Sequence, residues 1–357
     1  MNNTAFVRVT LSAIRENLSV VRALCKNSRI MAMVKANAYG HGLLEVANAL
    51  ESSDGFAVAR LHEALDLRRA GIKHRILLLG TLLDEAALAT CSRFNIDVTA
   101  HDSISVTRIA SQATRMPLRV WLKLDSGMHR VGLPPRAFVE ADRLLSANTG
   151  VIELVHMTHF SSAGDMTTNA MDRQLQCFAE CHATNPRAHT SLANSAALIA
   201  RPETRGDWVR PGIMLYGDNP LGFTEGLTLK PAMRLSARVI AIRDLATGES
   251  VGYNSLWTSE RPSRIATIGA GYADGYPRHA GNGTPVWING HFGSVAGRVS
   301  MDSIGVDITD CGPVNVGDEA VLWGPELPAS KVADHASTIS YALFTAVTQR
   351  VTREYRA

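Results

Sequence analysis

The sequence predicts a (β/α)8 TIM barrel followed by a C-terminal, mostly antiparallel β domain. Three observations lead there. Short β-rich runs recur about every 25 residues over the first two thirds of the chain, the repeat length of a strand–helix unit. Amphipathic stretches separate them, and strand–helix alternation implies parallel strands. After about residue 230 the pattern gives way to Gly, Pro and short alternating strands, the mark of an antiparallel sheet.

The elements follow in order. LSAIRENLSVVRALCKN (11–27) has helical spacing and precedes the first strand. The eight β-rich runs are RIMAMVK (29–35), GFAVA (55–59), RILLLG (75–80), IDVTA (96–100), LRVWLKLD (118–125), IELVHMTHF (152–160), HTSLAN (189–194) and DWVRPGIMLY (207–216). Between them HGLLEVANALESS, DEAALATCSR and PPRAFVEADRLLSA carry apolar residues at helical spacing. Eight such units imply a closed barrel; a doubly wound sheet is the alternative. That fold usually wants a Gly-rich first turn, and the first turn here is KANAYGHG. Beyond it lie ARVIAIRDL, SRIATIGAG, PVWINGHFGSVAGRVS, SIGVDI and DEAVLWG, with Asn289-Gly290 as a hairpin turn. The division expected is a barrel over 10–229 and a β domain over 230–357, with residues 1–9 as a candidate added strand of the latter. GAGYADG (269–275) has the wrong spacing for a dinucleotide loop and no helix after it.

Composition narrows the function. The chain of 357 residues is 46% hydrophobic and 19% charged, with a net charge of +3 and no basic stripe. Nucleic-acid and membrane binding are therefore not expected. The N-terminus lacks the basic start and apolar block of a secretion signal. The five scattered cysteines read as reduced thiols of a cytoplasmic protein. Cys177 and Cys181 are helix neighbours, but no second pair completes a metal set, so no metal is expected.

Of 36 basic residues only six are lysine: Lys26, Lys35, Lys73, Lys123, Lys230 and Lys331. Arginine keeps its proton, whereas a desolvated lysine becomes a free amine, hence a base or nucleophile. Lys35 and Lys123 sit in strand runs. Barrel chemistry gathers at the C-terminal strand ends, where the sequence places Lys35, Lys123, Arg130, His159, Asn194-Ser195 and Arg210. His156 and His159 spell His-x-x-His, but strand alternation puts them on opposite faces. Ser195 alone reads as a plain helix N-cap. The seventh and eighth strand ends, with Gly212-Ile213, suit a phosphate. A phosphate site beside a reactive lysine suggests pyridoxal 5′-phosphate (PLP).

MVKANAYGHG, LKLDSGMHRVG, MTHF, ANSAA, RPGIMLYG, VGYN, GYADGYPR, GRVSMD and ISY occur in that order from residue 33 to 341. Together they closely resemble the bacterial alanine racemases, PLP enzymes with a barrel and a β domain. The resemblance implies that Lys35 carries the PLP and is one catalytic base, and that Tyr253 is the other. It implies that Tyr39, Asn194, Ser195, Gly212, Ile213 and Tyr341 contact the phosphate. It places His159 beside the cofactor ring, Arg210 at the pyridine nitrogen and Arg130 near the substrate carboxylate. Lys123 resembles a lysine that is carbamylated in many members. Tyr253, Met301 and Tyr272 resemble residues that reach the partner subunit's site, which implies a homodimer. Racemisation needs a base on each face of the α-carbon; a freed lysine serves one, and a tyrosine made acidic by nearby positive charge serves the other. The substrate implied is a small amino acid, alanine, interconverted between L and D forms as for a peptidoglycan precursor or in breakdown. A serine or broad-specificity racemase, a related decarboxylase and a non-catalytic PLP carrier are the rival readings. Two positions depart from the common pattern: Asn254, where many members have glycine, and Ala342, where glutamate is common. Asparagine tolerates a left-handed backbone; at Ala342 the expected consequence is confined to packing.

Overall fold

The chain was described by a computed structural model covering residues 4–80, 82–165, 167–222 and 224–357. Residues 1–3 of the candidate added strand lie outside the described residues. The rest of that segment forms β1 (Ala5–Thr10). Eight parallel strands then close a barrel: β2 (Arg29–Met33), β3 (Gly55–Val58), β4 (Arg75–Leu78), β5 (Ile96–Ala100), β6 (Leu118–Lys123), β7 (Val151–Met157), β8 (His189–Ser191) and β9 (Trp208–Val209). Register runs from Met31 opposite Gly55 round to Ile30 opposite Val209, which seals the ring. A strand walled by helices outside and by its fellows inside has no wet face. That is why IDVTA is buried along its whole length.

The last two strands are shorter than the sequence suggested. HTSLAN pairs only over His189–Ser191, and in the eighth run only Trp208–Val209 is strand. Pro211 has no N–H to donate. Past it the chain winds into a 3-10 turn, Ile213–Tyr216. The shortening leaves Asn194, Arg210 and Gly212 on irregular backbone at the barrel mouth, with Ser195 opening a helix there.

At the other mouth, Asp97 is buried and accepts hydrogen bonds from Arg75 Nε and, at 2.9 Å, from Trp121 Nε1. Arg75 also grips Glu153 with both carboxylate oxygens, at 2.9 and 2.8 Å. Its guanidinium lies over the rings of Trp121 and Trp208. This paired plug closes the end away from the site.

The second sheet contains β10 (Met233–Leu245), β13 (Ser263–Ile268), β14 (Pro285–Ile288), β15 (His291–Val295), β16 (Ile304–Asp307) and β17 (Glu319–Trp323). A small ribbon pairs β11 (Ser250–Val251) with β12 (Trp257–Thr258). The long β10 pairs with both β13 and β17, so these six strands form a ring. β1 pairs with β10 antiparallel and with β18 (Thr352–Arg356) parallel. Asn289 and Gly290 both have positive φ, as a tight hairpin between twisted strands requires. The helix Ser340–Ala346 leads from this sheet back to the barrel mouth. No helix among the described residues is long and apolar enough to cross a membrane.

Candidate active site

The strand ends converge on a cavity of ≈ 730 Å³. Lys35, Tyr39, Lys123, Arg130, His159, Asn194, Ser195, Arg210, Gly212, Ile213 and Tyr341 all line it. Four cationic side chains therefore share one space, and among the described residues no carboxylate lines it. Such a set suits a ligand bearing several negative charges.

Lys35 sits two residues past β2 and opens a turn of unusual hand. Ala36, Asn37, Ala38 and Tyr39 all have φ between 53 and 55°. Left-handed backbone costs a non-glycine residue roughly 1–2 kcal/mol, so four in succession need outside support. Gly40, at φ 80°, packs so closely that an added Cβ would lie 2.0 Å from the Phe344 carbonyl oxygen. Burial and then Arg130 lower the pKa of the Lys35 amine, with Glu63 opposing them. A buried ammonium next to another cation gives up its proton more readily.

Tyr39, carried by the same turn, is buried and stacks on Tyr216 at 4.7 Å. Its hydroxyl faces Gly212, where a Cβ would come within 2.5 Å of it. Glycine thus keeps a space open between the phenol and the backbone. Gly212 N–H donates to Ser195 Oγ at 2.9 Å. The helix Ser195–Ala200 is capped by Asn194, whose side-chain oxygen accepts from Ala197 N–H at 3.0 Å. The plain capping role expected of Ser195 thus belongs to its neighbour, and the serine hydroxyl turns to the cavity. Tyr341 reaches the same corner, 5.9 Å from Tyr39 between ring centres. Burial pushes its pKa up to about 12, so its phenol is a hydrogen-bond donor at neutral pH. Tyr39, Ser195, Gly212, Ile213 and Tyr341 bring two phenols, a hydroxyl and backbone to one part of the cavity, a donor set whose chemistry suits a phosphate. Lys35 stands at the same cavity, as a group that holds PLP through an amine requires.

Arg210 is buried and bonds only to neutral acceptors. It donates to Ser191 Oγ at 2.5 Å, Thr158 O at 2.6 Å and Leu192 O at 3.1 Å. Burial lowers its pKa to about 10, which leaves it charged at neutral pH. The His159 ring is pushed down to about 3, by burial first and then by Arg210, Lys123 and Arg130. It is a neutral ring, with Nδ1 accepting from Arg210 at 3.5 Å. His156 faces away, between barrel and helices, hydrogen bonded to Asp142 at 2.9 Å and His182 at 3.0 Å. Lys123 is 7% exposed and donates to Val131 O at 2.7 Å. Burial, then Arg210, lower its pKa to about 8.

Tyr253, Tyr272 and Met301 lie outside this cavity, on exposed turns and loops of the C-terminal β domain, at 68%, 37% and 52% exposure. Tyr272 N–H donates to Ser300 O and Ala273 N–H to Met301 O, so two of the three share one patch. Asn254, beside Tyr253, has φ 63°, the left-handed backbone that asparagine tolerates. Ala342 lines the cavity itself. Its lack of charge therefore bears on the site's electrostatics as well as on packing.

Sequence reasoning missed the groups behind the site. Thr158 and Ser191 hold Arg210. Glu63, buried, accepts Ala36 N–H at 2.7 Å. Its sequence signal is an acidic residue at the third position of the helix Leu61–Arg69, where side chains turn back on the helix start. Among the described residues no cluster of three or more His, Cys, Asp or Glu side chains is placed to hold a metal ion.

The N-terminal domain model of alanine racemase matches residues 9–220, and the C-terminal domain model residues 232–355. The alanine racemase of Shewanella sp. (strain MR-7) is 44% identical over 348 residues, 96% of each chain. The crystal structure of biosynthetic alanine racemase from Pseudomonas aeruginosa superposes with a TM-score of 0.95 at 42% identity, covering 99% of this chain and 100% of its own. That of alanine racemase from Bartonella henselae, with covalently bound pyridoxal phosphate, superposes at 0.92 with 29% identity over 99% and 100%. With both domains matched in order and relatives this similar along nearly the full length, the chain belongs to the alanine racemase family.

Proposed function

We propose that this protein interconverts L- and D-alanine with PLP held at Lys35, by a two-base mechanism in a homodimer. The observation that carries the reading is the cavity with four cations, no lining carboxylate among the described residues, and a glycine-opened polar cradle beside a buried lysine whose pKa is lowered. When bound, PLP supplies an electron-withdrawing ring that acidifies the α-carbon of an amino acid. The protein's residues do the rest. Tyr39, Ser195, Gly212, Ile213 and Tyr341, with Asn194 at the same helix start, hold the phosphate. The uncharged His159 ring offers a flat surface to the cofactor. Arg210, which stays protonated at neutral pH, would hold the cofactor's ring as a fixed cation with no proton to give it. Such a hold would favour return of a proton to the α-carbon over transfer of the amino group.

Arg130 takes the substrate carboxylate, with Lys123 behind it. A lysine whose pKa is near 8 has enough free amine at neutral pH to react with carbon dioxide. The resulting carbamate would turn a cation between Arg210 and Arg130 into an anion that pairs with them. The Lys35 amine, its charged form disfavoured by burial and Arg130, takes or gives the α-proton on one face. The partner subunit's Tyr253 serves the other, with the partner subunit's Tyr272 and the partner subunit's Met301 bounding a pocket for a small side chain. Exposure of these three residues in the single chain supports that arrangement. With a base on each face the substrate need not turn.

The test is incubation of the purified protein with PLP and L-alanine or L-serine in deuterium oxide, read by chiral chromatography and mass. The expected result is D-alanine carrying deuterium at the α-carbon and much less D-serine. Bound PLP with neither inversion nor deuterium would overturn the reading.

A further inference from the structure

We propose that Glu63 and Arg353 are positioning residues for Lys35, holding the two ends of the left-handed turn from which its amine enters the cavity. The inference rests on the racemase reading for its kinetic test, but not for its geometry. The turn's own bonds run from Ala38 N–H to Val34 O at 2.8 Å, Gly40 N–H to Ala36 O at 2.9 Å, His41 N–H to Ala38 O at 3.1 Å and Gly42 N–H to Asn37 O at 3.0 Å, with His41 Nδ1 2.9 Å from Tyr39 O. Apart from Asn37, the turn's non-glycine residues gain nothing locally from left-handed backbone. Its shape must come from what grips it.

At the head, Glu63 Oε1 accepts Ala36 N–H, the peptide next to Lys35, at 2.7 Å. The other oxygen, Oε2, accepts Ala59 N–H and Arg60 N–H, each at 3.0 Å. One buried carboxylate therefore ties the lysine's turn to the end of β3. At the tail, Arg353 Nε donates to Gly40 O at 2.9 Å. The same guanidinium donates to Val347 O at 2.8 Å and Thr348 O at 3.3 Å. Those carbonyls follow the helix that carries Tyr341. One cation thus sets the lysine's turn against the segment that brings Tyr341 to the cavity. The fit leaves no slack, since a Cβ on Gly42 would lie 2.0 Å from Tyr355 Oη. Neither Glu63 nor Arg353 lines the cavity. Both act through the turn.

Glu63→Gln preserves size but gives one side an NH2 that cannot accept a peptide N–H. Arg353→Lys preserves charge but loses the fork that spans both carbonyl sets. In each PLP-loaded variant we expect kcat to fall roughly tenfold or more with KM within about twofold, because an error of about 1 Å in a reacting group costs far more rate than binding. Two readouts do not depend on turnover. The absorption of the cofactor joined to Lys35 should change its pH dependence, since Glu63 supports the lysine's charge. Hydroxylamine should also release the cofactor faster. Lower unfolding temperatures with parental kcat, pH dependence and release rate would overturn the proposal and leave a structural role. Should Glu63→Gln fail to fold, Glu63→Asp and Arg353→Lys carry the same test. A parent protein without racemisation would overturn the racemase reading alone, with the two spectroscopic readouts still deciding this one.

Discussion

Replacing Gly212 with alanine would place a methyl carbon 2.5 Å from Tyr39 Oη and 3.2 Å from its ring carbon Cζ. Ordinary contact needs about 3.5 Å, so ring or backbone must move by about 1 Å. Gly212 has φ −123°, so the penalty is crowding and not backbone hand. Tyr39 cannot simply swing away, being stacked on Tyr216. The protein should therefore lose about 1–3 kcal/mol of stability, the usual cost of overpacking. The cradle should lose more in function. One hydrogen bond to a charged group is worth roughly 1.5–3 kcal/mol; displacing the phenol from a phosphate would weaken binding roughly 10- to 150-fold. The assay is titration of cofactor-free protein with PLP, followed by absorbance, beside a thermal melt. A fall in melting temperature with PLP affinity within about twofold of the parent would refute the placement of the phosphate between Tyr39 and Gly212.

Four further outcomes follow from the same structure. Lys35→Ala and Tyr253→Phe should each be nearly inactive alone, and mixing the two proteins should restore racemisation by forming one intact site per mixed dimer; no restoration under subunit exchange would place both bases in one chain. In carbon-dioxide-free buffer the Lys123 pKa, lowered from 10.5 to about 8, means the folded protein binds fewer protons than the unfolded one between those values. Lys123 should therefore contribute stability that grows with pH across that window; the difference between parental and Lys123→Met melts should show that contribution, while bicarbonate should raise parental activity only. Asp97→Asn should cost about 1.5–3 kcal/mol by removing one of the two carboxylates that hold Arg75, measured by urea unfolding, with kcat of the folded enzyme unchanged. Arg210→Glu should divert turnover toward pyruvate, measured by coupled assay, and no increase over the parent would count against the role given to its fixed proton.

How far the sequence could be read follows from where the forces act. Barrel strands are buried on both faces, so their composition carries the signal along each run, as in Ile96–Ala100. The strand ends displayed Lys35, Lys123 and Arg210 because a lone cation at the end of an apolar run is visible without knowing the fold. β8 and β9 were overextended because apolar runs such as PGIMLY look alike as strand or as 3-10 turn; Pro211 was the available warning. Tyr253 is the opposite case. Its exposure could be seen only in the structure, and the use proposed for it depends on a second chain.

The turn at Lys35 was illegible for a deeper reason. Ala36, Ala38 and Tyr39 have no local preference for positive φ, and alanine is the best right-handed helix former. Only Asn37, Gly40 and Gly42 hint at unusual backbone. The hand of the turn is dictated by contacts hundreds of residues away, Phe344 against Gly40 and Arg353 on its carbonyl. Right-handed winding from Lys35 would satisfy the segment's own propensities, but it would break the bonds to Glu63 and Arg353 and displace Tyr39 from Gly212. A conflict between local preference and global fold is expected where function sets the geometry. Here it falls on the five residues that aim one amine and one phenol into a single cavity.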